Sequence, residues 1–371
     1  MAQPLSPIDR ARLEPLGWTP ALDEAWATQP EGLVPGRVSL EHNHVYRVMT
    51  AEGEWLAETA GKIKFEAEGR HELPGVGDWV GVRPDEGGSG HGEGRALIRA
   101  ILPRRSWFSR KAAGRGTTEQ VLAANVDVVF LTFGLDVHVK ERAIERYLVV
   151  ARRSGARPVI VLNKADVSPD LDADVSEAVA VAGGAPVHAV RAKEPGGVAP
   201  LEAYLGRGVT LAFLGPSGAG KSSITNALIG RELLATGEVR DWDGRGRHTS
   251  VHRELVVRER GGLIIDTPGM RELQLWGADD VVDTFADIAA LAEGCKFRDC
   301  QHDREPGCAV KRAVEDGALD AGRYAGFLKL QAEQAALERL VDERALIDAK
   351  RQGKIGSKAL KSHYKLRDKN R

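Results

Sequence analysis

Gly215-Pro216-Ser217-Gly218-Ala219-Gly220-Lys221-Ser222, with Ser223 behind it, reads G-x-x-x-x-G-K-S. It follows the apolar run Val209–Leu214 and precedes a stretch of helical spacing. Between a strand and a helix, such a loop aims backbone N–H groups and a helix N-terminus at phosphate. Gly215 and Gly220 permit the tight wrap, and Gly218 leaves room for the ligand. Lys221 neutralises the β- and γ-phosphates, and Ser222 offers a hydroxyl to Mg²⁺.

Two further segments fit that chemistry. Asp266-Thr267-Pro268-Gly269 follows Leu263-Ile264-Ile265, 44 residues beyond Ser222. A strand ending in D-x-x-G brings a carboxylate to the magnesium shell and a glycine N–H to the γ-phosphate. Between them lies the polar, Gly-rich run Asp241–Ser250, suited to a switch. Thr249, or failing it Ser250, is expected to reach Mg²⁺. Met270 stands where Ras-type enzymes place a water-orienting glutamine, so another group must serve. His248 is the candidate, against the reading of a surface histidine in a loop.

The base reader comes first in the chain. Asn163-Lys164-Ala165-Asp166, an N-K-x-D motif, stands about fifty residues before the phosphate loop, whereas ordinary GTPases place it after. The Asp166 carboxylate accepts two N–H bonds from guanine, and adenine cannot supply both. Arg191-Ala192-Lys193 is a loose match to the loop that backs the base. The segments of a GTPase are present in circularly permuted order.

Cys295, Cys300 and Cys308 are the only cysteines, and His302 lies among them. Three thiolates and an imidazole suit a closed, structural zinc site, one ion per chain. Three reduced cysteines beside an unrelated histidine is the plainer alternative.

The elements that must hold these groups divide the chain into five stretches. Residues 1–32, rich in proline, read as an irregular extension with a short helix over Pro20–Ala27. Residues 33–112 carry about five short strands with Gly-rich turns, a small barrel of the OB type. Residues 113–280 alternate strand and helix, an α/β domain with a mostly parallel sheet. Residues 281–350 are helical around the cysteines, and 351–371 form a basic tail. Arg104, Arg105, Arg110 and Lys111 interleave with Trp107 and Phe108. Two readings fit them equally: RNA phosphate contact with base stacking, or a linker whose rings pack inward. The tail holds eight Lys or Arg and one acid, Asp368, with Lys354, Lys358, Lys361 and Lys365 at helical spacing. They form a cationic face for RNA, or a solvated end. A net charge of −1 rules out a global basic field. The absence of a leader or of a long apolar run leads us to expect a cytoplasmic protein, away from membranes.

Together the order N-K-A-D, G-P-S-G-A-G-K-S-S, G-R-H-T, D-T-P-G and C-x4-C-x-H-x5-C resembles the ribosome small-subunit-dependent GTPase A family, across roughly residues 33–320. That resemblance implies an OB domain, a permuted GTPase domain and a zinc domain. It implies late maturation of the 30S subunit through 16S rRNA, with GTP hydrolysis to GDP stimulated by the subunit. It places His248 at the family's switch-loop histidine and favours a catalytic role for it, with Lys221 and Thr249. A monomer is expected. The rivals are a permuted GTPase of the large subunit and an RNA-binding module that uses GTP only as a conformational ligand.

Overall fold

Apolar residues at every second position build one side of a strand, and continuous apolar runs build strands covered on both sides. Both patterns occur here, in two successive parts of one 11-stranded sheet. The computed structural model describes residues 4–42, 44–84, 95–111, 119–230, 254–266, 285–297, 300–303, 305–328 and 331. They fall into two compact units, one drawn from Met1–Lys111 and Thr118–Gln274, the other from Ala112–Thr117 and Leu275–Arg371.

The first part is the barrel. β1 (Val34–His42), β2 (Val45–Thr50), β3 (Gly53–Thr59), β4 (Trp79–Pro84) and β5 (Arg95–Ile101) are five short strands, as expected. They pair in the order β1-β2-β3-β5-β4, and β4 returns to β1, closing the ring. Val38, Tyr46, Val48, Ala57, Val80, Val82, Ala96 and Ile98 fill it. A short helix, α3 (Gly61–Glu66), follows β3.

The residues ahead of the barrel are not irregular. Pro7 opens α1 (Pro7–Leu13) behind the cap Ser6, and Pro20 opens α2 (Pro20–Ala27). Proline is tolerated at a helix's first position, where its missing N–H has no partner to lose. Here the prolines start helices rather than break them. Leu13, Trp18, Leu22 and Trp26 pack on Trp79 and Leu102 of the barrel, with the Trp18 and Trp79 rings edge to face at 4.8 Å.

Residues 104–124 contain a hairpin the sequence reading lacked: β6 (Trp107–Lys111) against β7 (Glu119–Ala124). Strand alternation splits the two aromatic rings. Phe108 is 2% exposed and Trp107 46%. Phe108 therefore packs inward, as the linker reading expects, and Trp107 is left at the surface.

The second part of the sheet is the α/β layer. β8 (Val128–Gly134), β9 (Arg157–Asn163), β10 (Val187–Val190), β11 (Thr210–Leu214) and β13 (Leu263–Asp266) are parallel, in the order β10-β9-β8-β11-β13. Helices α4 (Glu141–Arg153), α5 (Leu171–Val181) and α6 (Lys221–Ile229) connect them. Val129, Leu131 and Phe133 of β8 face one core, with Ile144 and Leu148. Val128 and Phe130 face the other, with Ile224 and Leu228. This two-sided burial explains the unbroken apolar run of β8.

β12 (Glu254–Val257), also absent from the sequence reading, joins the two parts. It pairs antiparallel with β13 and touches β1 through Leu40 and Glu254. Arg37 ties the same junction from inside, 1% exposed. It donates to Gly77 O at 3.1 Å, to Asn125 O at 2.9 Å and to Leu16 O. Burial lowers its pKa to about 10, so it stays charged at neutral pH.

In the second unit, helices Ala286–Ala292 and Ala309–Glu315 flank the cysteines, and residues 321–328 are helical. Among the described residues no helix is long and apolar enough to cross a membrane.

Candidate functional site

In a parallel sheet, the carboxyl ends of the strands lie along one edge, and the loops leaving them form the binding surface. The loops after β8, β9, β10, β11 and β13 share that edge. The phosphate loop leaves β11, which lies between β8 and β13. Gly215 has φ 143°, and a Cβ there would stand 2.0 Å from Thr132 O. Gly220, at φ 87°, caps α6, and a Cβ there would stand 2.1 Å from Asn163 Nδ2. Only glycine fits either place. Pro216, Ser217 and Gly218 are exposed, and Ala219 is buried.

Lys221 Nζ donates to Gly215 O and Pro216 O, both at 2.7 Å, and so spans the loop. Ser222 is exposed at the first turn of α6, and Ser223 is half-buried. Asp266 ends β13 in register with Glu254. Its side chain, His248, Thr249, Gly269 and Met270 lie outside the described residues.

Asn163 is 2% exposed at the end of β9. Its Nδ2 donates to Ala219 O at 3.0 Å, and its Oδ1 accepts from Ala192 N at 3.2 Å. One amide thus binds the phosphate loop to the loop Arg191-Ala192-Lys193. Arg191 and Lys193 are exposed there, and Arg191 pairs with Glu194 at 3.5 Å. Ala165 N donates to Val190 O at 3.1 Å, which holds the turn down. Asp166 is exposed next to it. Lys164, at φ 63°, pairs with Asp136 at 2.6 Å. Asp136 has no motif signal beyond its place just after β8.

Of the basic residues near the barrel, Arg104 faces inward. It grips Asp78, which is 0% exposed, through Nε at 2.8 Å and Nη2 at 2.7 Å. It also donates to His71 O at 2.5 Å and Leu73 O at 2.8 Å. Spacing alone does not separate this internal staple from a surface cation. Arg105 is exposed and pairs with Asp127 at 3.2 Å. Arg110 and Lys111 lie on β6, with side chains outside the described residues, as are Lys354, Lys358, Lys361 and Lys365.

The four ligand atoms of Cys295, Cys300, His302 and Cys308 lie within 4.8 Å of one another. Cys295 Sγ is 3.9 Å from Cys308 Sγ, and His302 Nδ1 is 3.6 and 3.5 Å from these two sulfurs. A tetrahedral ion with metal–sulfur bonds of about 2.3 Å has sulfur edges of about 3.8 Å and sulfur–nitrogen edges of about 3.6 Å. The cluster therefore fits one tetrahedral metal ion. Ala309 N and Lys311 N donate to Cys295 Sγ and Cys308 Sγ, each at 3.4 Å, from the start of a helix. Burial opposes the Cys295 thiolate, but hydrogen bonds from Ala309 and Val310 N–H together with Cys308 and Cys300 hold its pKa below the ordinary thiol value. Burial, with Cys308 and Cys295 adding to it, pushes the Cys300 thiol up to about 11, a cost that a bound cation offsets. Burial also lowers His302, favouring the neutral, ligating imidazole.

A phosphate loop and an N-K-x-D turn, brought to one sheet edge from reversed chain order, define a circularly permuted GTPase. Residues 101–276 match the model of the RsgA GTPase family. A small ribosomal subunit biogenesis GTPase RsgA from Opitutus terrae is 48% identical over 338 residues, spanning 89% of this chain and 92% of that one. Among solved structures, YjeQ from Thermotoga maritima aligns with a TM-score of 0.59 and 28% identity, over 81% of this chain and 98% of that one. YloQ, a circularly permuted GTPase, shares the fold with a TM-score of 0.54 at 24% identity, over 81% and 94%. The chain belongs to the RsgA GTPase family and is a GTP hydrolase.

Proposed function

We propose that this GTPase acts in biogenesis of the small ribosomal subunit, binding the 30S particle through 16S rRNA late in its maturation. The subunit stimulates hydrolysis, and the protein leaves as GDP forms. The observation that carries the nucleotide half of this reading is the Asn163 amide. It hydrogen-bonds the phosphate loop on one side and the base-backing loop on the other. The ribosomal half draws support from the Opitutus terrae relative, named for small-subunit biogenesis and matched over most of both chains.

In this reading Lys221 and the loop N–H groups hold the β- and γ-phosphates. Ser222, Thr249 and Asp266 complete the Mg²⁺ shell, and Asp166 reads guanine. Mg²⁺ supplies charge neutralisation between the phosphates. His248 positions the attacking water in place of Met270. The barrel over 33–112 and the tail over 351–371 contact rRNA. The domain after 281 is held by a structural zinc ion on Cys295, Cys300, His302 and Cys308.

Multiple-turnover GTP hydrolysis, measured alone and with purified 30S, 50S and 70S particles, tests the proposal. Stimulation by 30S above the other two is expected. Co-sedimentation with 50S in the presence of a non-hydrolysable GTP analogue, and not with 30S, would reject it.

A further inference from the structure

We propose that Asp136 is a positioning residue for guanine-nucleotide binding, acting through Lys164. This rests on the guanine reading of the site. The geometry starts from the backbone of Lys164, which has φ 63°, in the left-handed region that a non-glycine residue rarely adopts. Its neighbours on both sides are pinned. Asn163 O accepts from Leu135 N at 2.9 Å, and Ala165 N donates to Val190 O at 3.1 Å. The side chain is pinned as well, because Lys164 Nζ meets Asp136 Oδ2 at 2.6 Å.

Gly134 shows where the lysine stem runs. A Cβ placed there would stand 2.6 Å from Asp136 Oδ1, 3.4 Å from Ala219 Cα and 3.5 Å from Lys164 Cδ. The carboxylate, the lysine stem and the phosphate loop therefore converge on the space left by one missing side chain. Lys164 lies between Asn163, buried against the loop, and the exposed base reader Asp166. In this reading a nucleotide that spans the phosphate loop and Asp166 passes this stem. A free lysine side chain has large rotamer freedom, and ordering it on binding costs affinity. Asp136 orders it in advance. The carboxylate touches neither phosphate nor base in this scheme, so its effect belongs to binding.

The test titrates a fluorescent GDP analogue and measures steady-state GTP hydrolysis on the full chain, for wild type, Asp136→Ala, Asp136→Asn and Asp136→Glu. Exposed ion pairs contribute up to about fivefold in an equilibrium. We expect Asp136→Ala to weaken GDP binding about three- to fivefold. KM for GTP should rise with it, kcat should change less, and Asp136→Glu should recover most of the loss. Unchanged GDP affinity in Asp136→Ala overturns the proposal. So does a loss confined to thermal stability, or a loss in kcat alone. If Asp136→Ala melts early, Asp136→Asn carries the same comparison with the side-chain shape kept. A wild-type protein that binds ATP and GTP equally overturns the guanine reading itself, and that result is distinct from a guanine-selective protein indifferent to Asp136.

Discussion

Asn163 Nδ2 lies 3.0 Å from Ala219 O, so the first residue of the base-reading motif is hydrogen-bonded to the phosphate loop 56 positions further along the chain. β9 and β11 are separated in the sheet only by β8. Circular permutation changes the order in which these strands are made and leaves their neighbours unaltered. Each motif sits at the end of its own strand, so the edge they form depends on sheet order, and chain order is free to vary.

Asp166 should set nucleotide choice. A carboxylate accepts two N–H bonds from guanine, and an amide in its place presents an N–H where guanine also donates. Asp166→Asn is expected to move preference from guanine to xanthine nucleotides by at least tenfold, the scale on which a site built for one hydrogen-bonding edge rejects another. Competition binding with GDP and XDP measures this.

The cysteine cluster should be structural. About one zinc per chain is expected after purification without chelator. Cys300→Ala should release it and unfold the region beyond 280 while GTP binding survives. Metal analysis together with limited proteolysis reads both. Retention should fall as pH falls, because the ion requires thiolates and a neutral imidazole, and acid protonates all of them. Burial lowers the pKa of His302, so the imidazole itself resists protonation below the ordinary histidine range. A protein that keeps its metal content after Cys300→Ala would contradict this account.

Catalysis should depend on His248. Met270 has no group that can hold water. His248→Ala is expected to leave GTP affinity near wild type and to cut 30S-stimulated turnover about 10²-fold, the scale of a lost positioning group. Equal stimulated rates would remove His248 from the mechanism.

Arg104 and Trp107 should behave oppositely. Arg104→Ala strands the Asp78 carboxylate, which is 0% exposed, and removing one partner of such a buried pair costs about 3–5 kcal/mol. A lower unfolding midpoint is expected. Trp107, 46% exposed on β6, can be truncated with little change in melting. Trp107→Ala should instead weaken binding to single-stranded rRNA fragments, as the loss of one stacking platform costs about 1–3 kcal/mol. Calorimetry and fragment binding on both variants separate the two roles.

Removing residues 351–371 should weaken 30S association and flatten its salt dependence, since eight cations release fewer counterions once they are gone. GTP affinity should not change. An identical salt slope for the truncated chain would make the tail a solvated end.

Local chemistry was legible from residues alone wherever it is written in consecutive positions. The phosphate loop, the N-K-x-D turn and the Cys–His set each occupy a short run, and the helix Pro20–Ala27 appears with the expected bounds. Backbone demands such as φ > 0 at Gly215 and Gly220, and strand or helix periodicity, are local properties that neighbouring residues set. What depended on partners distant in the chain was not legible. Prolines at the N-terminus read as breakers until Trp18 and Trp26 had Trp79 to pack against. β12 is only four residues long, and its apolar character became a strand only between β13 and β1. Arg104 and Arg105 are adjacent and chemically alike, yet Asp78 draws the first inside and Asp127 holds the second at the surface. The closure of the barrel, the Asn163 bridge and the Asp136–Lys164 pair belong to the same group. Each is a contact between segments that only the packed sheet brings together, and its stabilisation exists only after that packing has occurred.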